Sequence, residues 1–472
     1  MDRNTLYNNL IHSFGFEPTK GQSIVLYHLA AFLLSEKTNP TYLLQGYAGT
    51  GKTTLVSTLV KVLPQIGMRY QLLAPTGRAA KVLSTYTEKT ASTIHRKLYR
   101  FQAFPDGSFK MARAENKSRD TVFIVDECSM ITDQSDGAWG GKSLLDDLVE
   151  YVFSGEKCRL LLIGDKAQLP PVNLELSPAM DTGVLKNSFN LTLASFEMTE
   201  VLRQALESGI LFNATELRKN IQDKNVHPPF FDISSFDDIQ RIDPQYFEEL
   251  LYENFNGNGK SEAVVICHSN KRANMFNQAI RSRVLQEEGE IAAGDQMMVV
   301  KNNYFWTDED QKIGFIANGD MKEIKKINSL EEMYGFHFAD VEIQLLDYPD
   351  LPNLSVKMML ETLHSESSAL TSEESERFYK AVEEDYNEIS NKRERYKAMK
   401  TNVWFNALQV KFGYALTCHK TQGGQWSTIF IDAPYKAEDE DFGVGDLRWF
   451  YTAVTRASKK VYFVNFKDEY FV

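Results

Sequence analysis

Residues Gly46 to Thr53 read GYAGTGKT, a G-x-x-x-x-G-K-[ST] pattern. It directly follows the apolar run TYLLQG and opens a helix-like stretch from Thr53 to Leu63, the context a phosphate-binding loop requires. Glycines at 46, 49 and 51 let the backbone curl. The loop and first helical turn, Gly46, Ala48, Gly49, Thr50, Gly51, Lys52, Thr53 and Thr54, are then expected to surround a nucleotide, with amide N–H groups and the helix amino terminus facing phosphate oxygens. Lys52 would neutralise the β- and γ-phosphates, and Thr53 would offer its hydroxyl to magnesium. Magnesium and ATP are the cofactors this chemistry calls for.

A second apolar run, TVFIVDE, ends in Asp126-Glu127. An acidic pair at a strand end is common in itself, but downstream of a phosphate loop it acquires a role. Asp126 would complete the magnesium shell, and Glu127 would orient or deprotonate an attacking water. A third run, RLLLIGD, leads into Lys166-Ala167-Gln168-Leu169-Pro170-Pro171 and places Gln168 at the same carboxyl edge, near the γ-phosphate.

These groups need a parallel sheet to hold them. The runs at 41–46, 70–76, 121–127 and 159–165 read as buried strands alternating with helices, and a second set begins at 262–270 and resumes between 414 and 466. The pattern predicts an α/β protein with two parallel-sheet lobes, consistent with ~150 residues per folded unit. Between the second lobe's strands, 295–410 differs in character. It opens with strand-like MMVVKNNYFW and GFIANGDMKEI around an Asn318-Gly319 turn. A helix follows, with capping-box spacing at Thr371 and Glu374 and an apolar face of Phe378, Val382, Tyr386 and Ile389. That helix either docks on a small β-domain or reaches toward the first lobe. In the first lobe, RFQAFPDGSFKMAR at 100–113 reads as a hairpin whose Phe101, Phe104 and Phe109 could simply pack on the lobe.

Composition narrows the partners. There are 52 basic and 64 acidic side chains, a net charge of −12, so any nucleic-acid site must be a local groove rather than a basic coat. No apolar run approaches the ~20 residues needed to span a membrane. The amino terminus has no signal-peptide core. The four cysteines, Cys128, Cys158, Cys267 and Cys418, lie far apart without metal-ligand spacing, which fits a reducing, cytoplasmic compartment.

The order of blocks resembles the superfamily 1 helicases, in particular their RecD-like and Dda-like branch, over nearly the whole chain. GYAGTGKTT is similar to motif I, APTGRAAKVL to motif Ia, VDECSM to motif II and LIGDKAQLPPV to motif III. EVLRQ, TCHKTQGGQW and WFYTAVTRAS resemble motifs IV, V and VI. The resemblance implies two RecA-like lobes, 1–99 with 114–200 and 201–294 with 411–472. It makes 100–113 a strand-splitting pin and 295–410 an SH3-like barrel with helices. It further implies arginine fingers at Arg203 and Arg456, each of which, taken alone, reads as a surface ion-pair partner. Gln22 would read the adenine edge, and Gly424 and Gln425 would lie beside the nucleotide. Nucleic acid would cross Pro75, Thr76, Thr93, His95, Phe104, His419, Lys420, Thr421 and Gln422, although His95 and His419 equally suit a helix cap or core hydrogen bond.

Two positions depart from the family pattern: Cys128 follows the acidic pair where alanine is usual, and Gln425 precedes the tryptophan where glutamate is usual. The implied activity is ATP-driven unwinding of tailed duplex DNA by a monomer moving 5′ to 3′ on one strand, in repair, recombination or replication and with the proteins of those processes. A translocase that strips proteins without separating strands shares every block. A DNA-binding subunit of a nuclease complex is the third reading, and it leaves Lys52, Glu127 and Arg456 without a purpose.

Overall fold

The computed structural model describes residues 1–472 apart from 104–108, 133–141, 202–207, 257–261, 308–314, 350 and 437–440; for 101–103 and 109–112 it describes the backbone alone. In chain order the first lobe contains β1 (Pro40–Gly46), β2 (Arg69–Ala74), β3 (Ala91–Thr93), β4 (Tyr99–Ala103), β5 (Phe109–Arg113), β6 (Thr121–Val125), β7 (Arg159–Gly164) and β8 (Thr192–Met198). Six of these form a sheet in the order β3-β2-β6-β7-β1-β8. Every neighbouring pair is parallel. β1, β6 and β7 are buried along their whole length, which is why they read as unbroken apolar runs. Because all three run the same way, their carboxyl ends deliver Gly46, Asp126 and Asp165 to one edge. β4 and β5 form a separate antiparallel hairpin.

The second lobe is built on β9 (Ile239–Arg241) and β10 (Ala263–Cys267), then, after an insertion, on β16 (Ala415–Thr417), β17 (Trp426–Asp432) and β18 (Ala457–Val464). They lie in the order β16-β10-β17-β18-β9, again all parallel. The chain therefore has two RecA-like parallel sheets.

The insertion closes into a five-stranded barrel of β11 (Gln296–Val299), β12 (Met321–Met333), β13 (Phe336–Leu345), β14 (Leu354–Met359) and β15 (Leu408–Phe412). Four of its pairings are antiparallel, and the β14–β15 pairing that completes the ring is parallel. Between those two strands the helix Ser372–Glu384 starts at a capping box of Thr371 and Glu374. It docks Phe378 and Val382 against Phe336, Phe338 and Met359 of the barrel, forming a satellite core. The helix lies on its own β-domain rather than on the first lobe, and it ends before Tyr386 and Ile389; Tyr386, in the turn that follows, still packs against the same satellite core.

The lobes meet through apolar contact as well as polar bonds. The cluster on one face of the second sheet, with Ile210, Ala214, Leu217, Leu447 and Phe450, also takes in Tyr47, Ala167 and Leu169 from the first lobe.

Candidate nucleotide site and nucleic-acid interface

The loop after β1 bends through left-handed conformations at Gly49 (φ 75°) and Gly51 (φ 89°), where a side chain would be strained, and Gly51 caps the helix Lys52–Val62. Lys52 Nζ donates to the main-chain oxygens of Gly46 at 2.6 Å and Tyr47 at 2.9 Å, while the Thr50 hydroxyl donates to Tyr47 O at 2.8 Å. The cation thus sits across the mouth of its own loop, hydrogen-bonded among the described residues to neutral carbonyls, while its charge also acts on Asp126 and Asp165. Thr53 is exposed on the first turn, and Thr54 is half-buried. Gln22 belongs to the capping box of the helix Lys20–Leu33 and donates from Nε2 to Thr50 O at 3.0 Å. Its amide is committed to the loop backbone and to the Thr19 N–H.

Asp126 leaves β6 with one oxygen accepting the Glu127 N–H at 2.9 Å and the other accepting the Tyr86 hydroxyl. Burial, then the adjoining Glu127 carboxylate, pushes the Asp126 carboxyl up to about 6. A divalent cation at this point would restore ordinary acidity, so the donor set suits magnesium. Glu127 has φ 53°, an uncommon backbone for a residue with a side chain, which turns the chain sharply at the edge of the sheet. Asp165, raised chiefly by burial, accepts the Ala167 N–H at 2.8 Å. Gln168 is buried, and its Oε1 has no partner among the described residues.

The second lobe reaches this site through the helix Val444–Val454. The Tyr451 hydroxyl donates to Asp165 at 2.6 Å and accepts the Ala48 N–H of the phosphate loop at 2.9 Å. Thr452 Oγ1 accepts the Leu169 N–H at 2.8 Å. Arg456 is 4% exposed and lacks a carboxylate partner among the described residues. Its guanidinium donates to Thr452 O, Gly424 O and Thr455 Oγ1 at 3.1, 3.3 and 3.3 Å. It is therefore a buried cation rather than a surface ion-pair partner. Gln425 has an exposed side chain, and its main-chain oxygen accepts Arg78 at 3.4 Å. Arg203 and Phe104 lie outside the described residues.

On the adjoining face a cleft of about 310 Å³ gathers Pro75, Thr76, Thr93, His95, His419, Lys420 and Gln422. Thr76 and Thr93 also cap their helices, accepting from Ala79 N at 3.2 Å and Arg96 N at 3.1 Å. Lys420 Nζ is buried without a hydrogen-bond partner among the described residues. Burial, helped by Lys411, brings it down to about 8. Gln422 donates to Leu169 O at 2.6 Å, so Leu169 is bonded through its N–H to the motif VI helix and through its carbonyl to a cleft residue. Thr421 does not reach the cleft. It is fully buried, and its hydroxyl turns back to Cys418 O at 2.7 Å.

Several members escaped the sequence reading. Arg78 lies over the Trp426 ring at 3.7 Å and lines the cleft. The barrel strand β11 contributes Met298, and the connection from β11 to β12 contributes Asn302 and Asn318, to the same lining. Tyr86 and Tyr451 had no local signal, since each matters only through a carboxylate supplied by a distant segment. Arg78, inside the APTGRAAKVL block, was open to notice as a cation beside Thr76.

Two RecA-like lobes that share a phosphate loop, with a barrel inserted in the second, define a P-loop nucleotide-binding protein of superfamily 1 helicase architecture. Comparison with known sequences narrows this. Residues 28–227 match the AAA domain family, and residues 412–464 match the UvrD-like helicase C-terminal domain. The chain is 34% identical over 169 residues to the ATP-dependent RecD2 DNA helicase of Deinococcus radiodurans, covering 36% of this chain and 20% of that protein. It is 26% identical over 282 residues to the ATP-dependent DNA helicase Dda of phage T4, covering 56% of this chain and 57% of that one. The matched stretches thus span less than two thirds of either helicase. A crystal structure of Pif1 helicase from Bacteroides, with ADP-AlF3 and single-stranded DNA, aligns with a TM-score of 0.47 at 15% identity, over 97% of this chain and 95% of that one. In sequence the chain is thus similar to parts of the RecD2 and Dda helicases.

Proposed function

We propose that this protein is a magnesium- and ATP-dependent DNA helicase that moves along a single strand, 5′ to 3′, and separates the duplex ahead of it. The observation that carries the reading is the position of Leu169, tied on one side to Thr452, the chain neighbour of the Tyr451 that bonds the phosphate loop, and on the other to Gln422 in the cleft. A change at the nucleotide therefore has a short bonded route to the strand.

Lys52 and the loop amides would hold the β- and γ-phosphates, and Thr53 and Asp126 the magnesium; Gly424 and Gln425 would border the nucleotide. Bound magnesium-ATP supplies a γ-phosphoryl group whose transfer to water releases the driving free energy. Glu127 would orient that water and take its proton. Gln168 would contribute Oε1, which has no partner among the described residues. Arg456 and Arg203 would meet the γ-phosphate only when the lobes are closed, so losing that phosphate would favour opening. In the cleft, hydroxyls, amides and a few cations suit sequence-blind phosphate contacts, and weak grips made and released in turn advance the strand. The net charge of −12 fits such a local grip.

The test is ATP-dependent strand separation of a duplex carrying either a 5′ or a 3′ single-stranded tail, with Lys52→Ala as the blank. Unwinding of the 5′-tailed substrate alone is expected. Preference for the 3′ tail would reverse the polarity, and DNA-stimulated hydrolysis without unwinding of either would leave a translocase.

A further inference from the structure

Tyr47 is the second residue of the phosphate loop, yet its side chain does not face the phosphates. It is 4% exposed and joins the hydrophobic cluster built largely by second-lobe residues, including Ile210, Ala214 and Leu217. The helix that supplies those three, Gly209–Asp223, also grips the ring's polar end and face. Gln222 Nε2 donates to the Tyr47 hydroxyl at 2.8 Å, and the Arg218 guanidinium lies over the ring at 4.7 Å. The hydroxyl itself donates to Glu197 of β8, whose other oxygen pairs with Lys166 at 3.4 Å. Meanwhile the Tyr47 carbonyl accepts Lys52 Nζ and the Thr50 hydroxyl.

One residue thus joins the phosphate-binding lysine, through its main chain, to the opposite lobe, through its side chain. Lys52 cannot keep two loop carbonyls and also hold two phosphates. When it is drawn to phosphate, the Tyr47 carbonyl loses a charge-assisted bond and the loop can relax at that residue. Because the ring is locked in a packed core, a backbone adjustment there is felt by the helix Gly209–Asp223 rather than absorbed locally. The neighbouring Ala48 N–H, bonded to Tyr451, makes a second link between the same stretch of loop and the same lobe.

We infer that Tyr47 is a positioning residue that transmits the state of the phosphate loop to the second lobe through Gln222 and Arg218. The inference rests on the motor reading above, because it assigns a route by which nucleotide and nucleic acid influence each other.

The experiment measures the affinity of a slowly hydrolysed ATP analogue with and without saturating oligothymidylate, for wild type, Tyr47→Phe, Gln222→Ala and the double variant. In the wild type, the oligonucleotide should change nucleotide affinity by a factor of about 5 to 150, as coupled sites generally do. Each single variant should reduce that factor by about twofold or more without abolishing it, since the Ala48–Tyr451 and Leu169 links remain, with the double variant no further changed. Tyr47→Phe keeps the ring, and Gln222→Ala approaches the same contact from the other lobe, so a folding defect in one leaves the other decisive. A wild-type factor retained by the folded variants would overturn the inference alone. A wild-type factor of one, with no DNA-stimulated hydrolysis, would remove the motor reading and the inference with it.

Discussion

Lys420 offers a direct test of the cleft, because its ammonium is buried without a hydrogen-bond partner among the described residues and is brought down to about 8. A DNA phosphate against Nζ favours the charged form, so binding should raise this pKa and take up a proton. With a free-state value of about 8, roughly nine in ten molecules carry the charge at pH 7 and one in ten at pH 9. Affinity for a single strand should therefore fall about tenfold between those pH values. Lys420→Arg stays charged throughout and should flatten the profile. Lys420→Met should bind more weakly at pH 7, lose the pH dependence, and reduce the slope of log affinity against log salt by about 0.7, the share of one phosphate contact. Fluorescence anisotropy of a labelled oligothymidylate at constant ionic strength measures all three. If Lys420→Met keeps the wild-type pH dependence, the titrating group is another one, such as Lys411, which burial also lowers to about 8. Lys420 would have no place in the interface if the variant's affinity at pH 7 and its salt slope were also those of the wild type.

Other expectations concern the hydrolytic centre and the joint between barrel and first lobe. Lys52→Ala should abolish hydrolysis, whereas Glu127→Gln should still bind ATP and turn it over very slowly; normal steady-state turnover in either would displace the assigned centre. A methyl group at Gly77 would collide with Asp320 Oδ1, so Gly77→Ala should cost about 1–3 kcal/mol of stability. Combining it with Asp320→Ala should recover at least about 1 kcal/mol in urea unfolding, and strictly additive losses would refute the contact. Burial, then Asp347, raises the Asp320 carboxyl to about 8. The folded state then holds a proton that the unfolded chain releases near pH 4, so this group's contribution to stability is complete below that pH and is lost as pH rises toward 8, by about 1.4 kcal/mol per unit. Asp320→Asn should remove that slope from the pH profile of unfolding, and an unchanged profile would place the proton elsewhere.

Much of the candidate nucleotide site's framework was legible along the chain, because the constraints there are local. A loop that curls around phosphate needs glycine at set positions, and strands covered on both faces become unbroken apolar runs, so GYAGTGKT, TVFIVDE and RLLLIGD announce themselves. The capping box at Thr371 and Glu374 was equally local and formed as spelled. β3 and β9 were not legible, since three residues carry no periodicity, and β8, an edge strand with an exposed middle, has no continuous apolar run. Closure of the barrel depends on Leu354–Met359 meeting Leu408–Phe412 across intervening helices, a pairing that neither segment encodes alone.

The site shows the same division. The resemblance put Thr421 beside its neighbours in a block expected to face nucleic acid, but packing turned its hydroxyl inward to Cys418 and left Lys420 and Gln422 at the cleft. Tyr451 reaches Asp165 across 286 positions, and Tyr47 meets Gln222 across 175. A tyrosine in a sequence has no direction until a second lobe supplies the carboxylate, amide or core that it points into. The sequence determined which residue types are present, and at what spacing, for the chemistry proposed. The tertiary structure decided which of them face one another, because side-chain orientation and the approach of two lobes are set by packing between segments far apart in the chain.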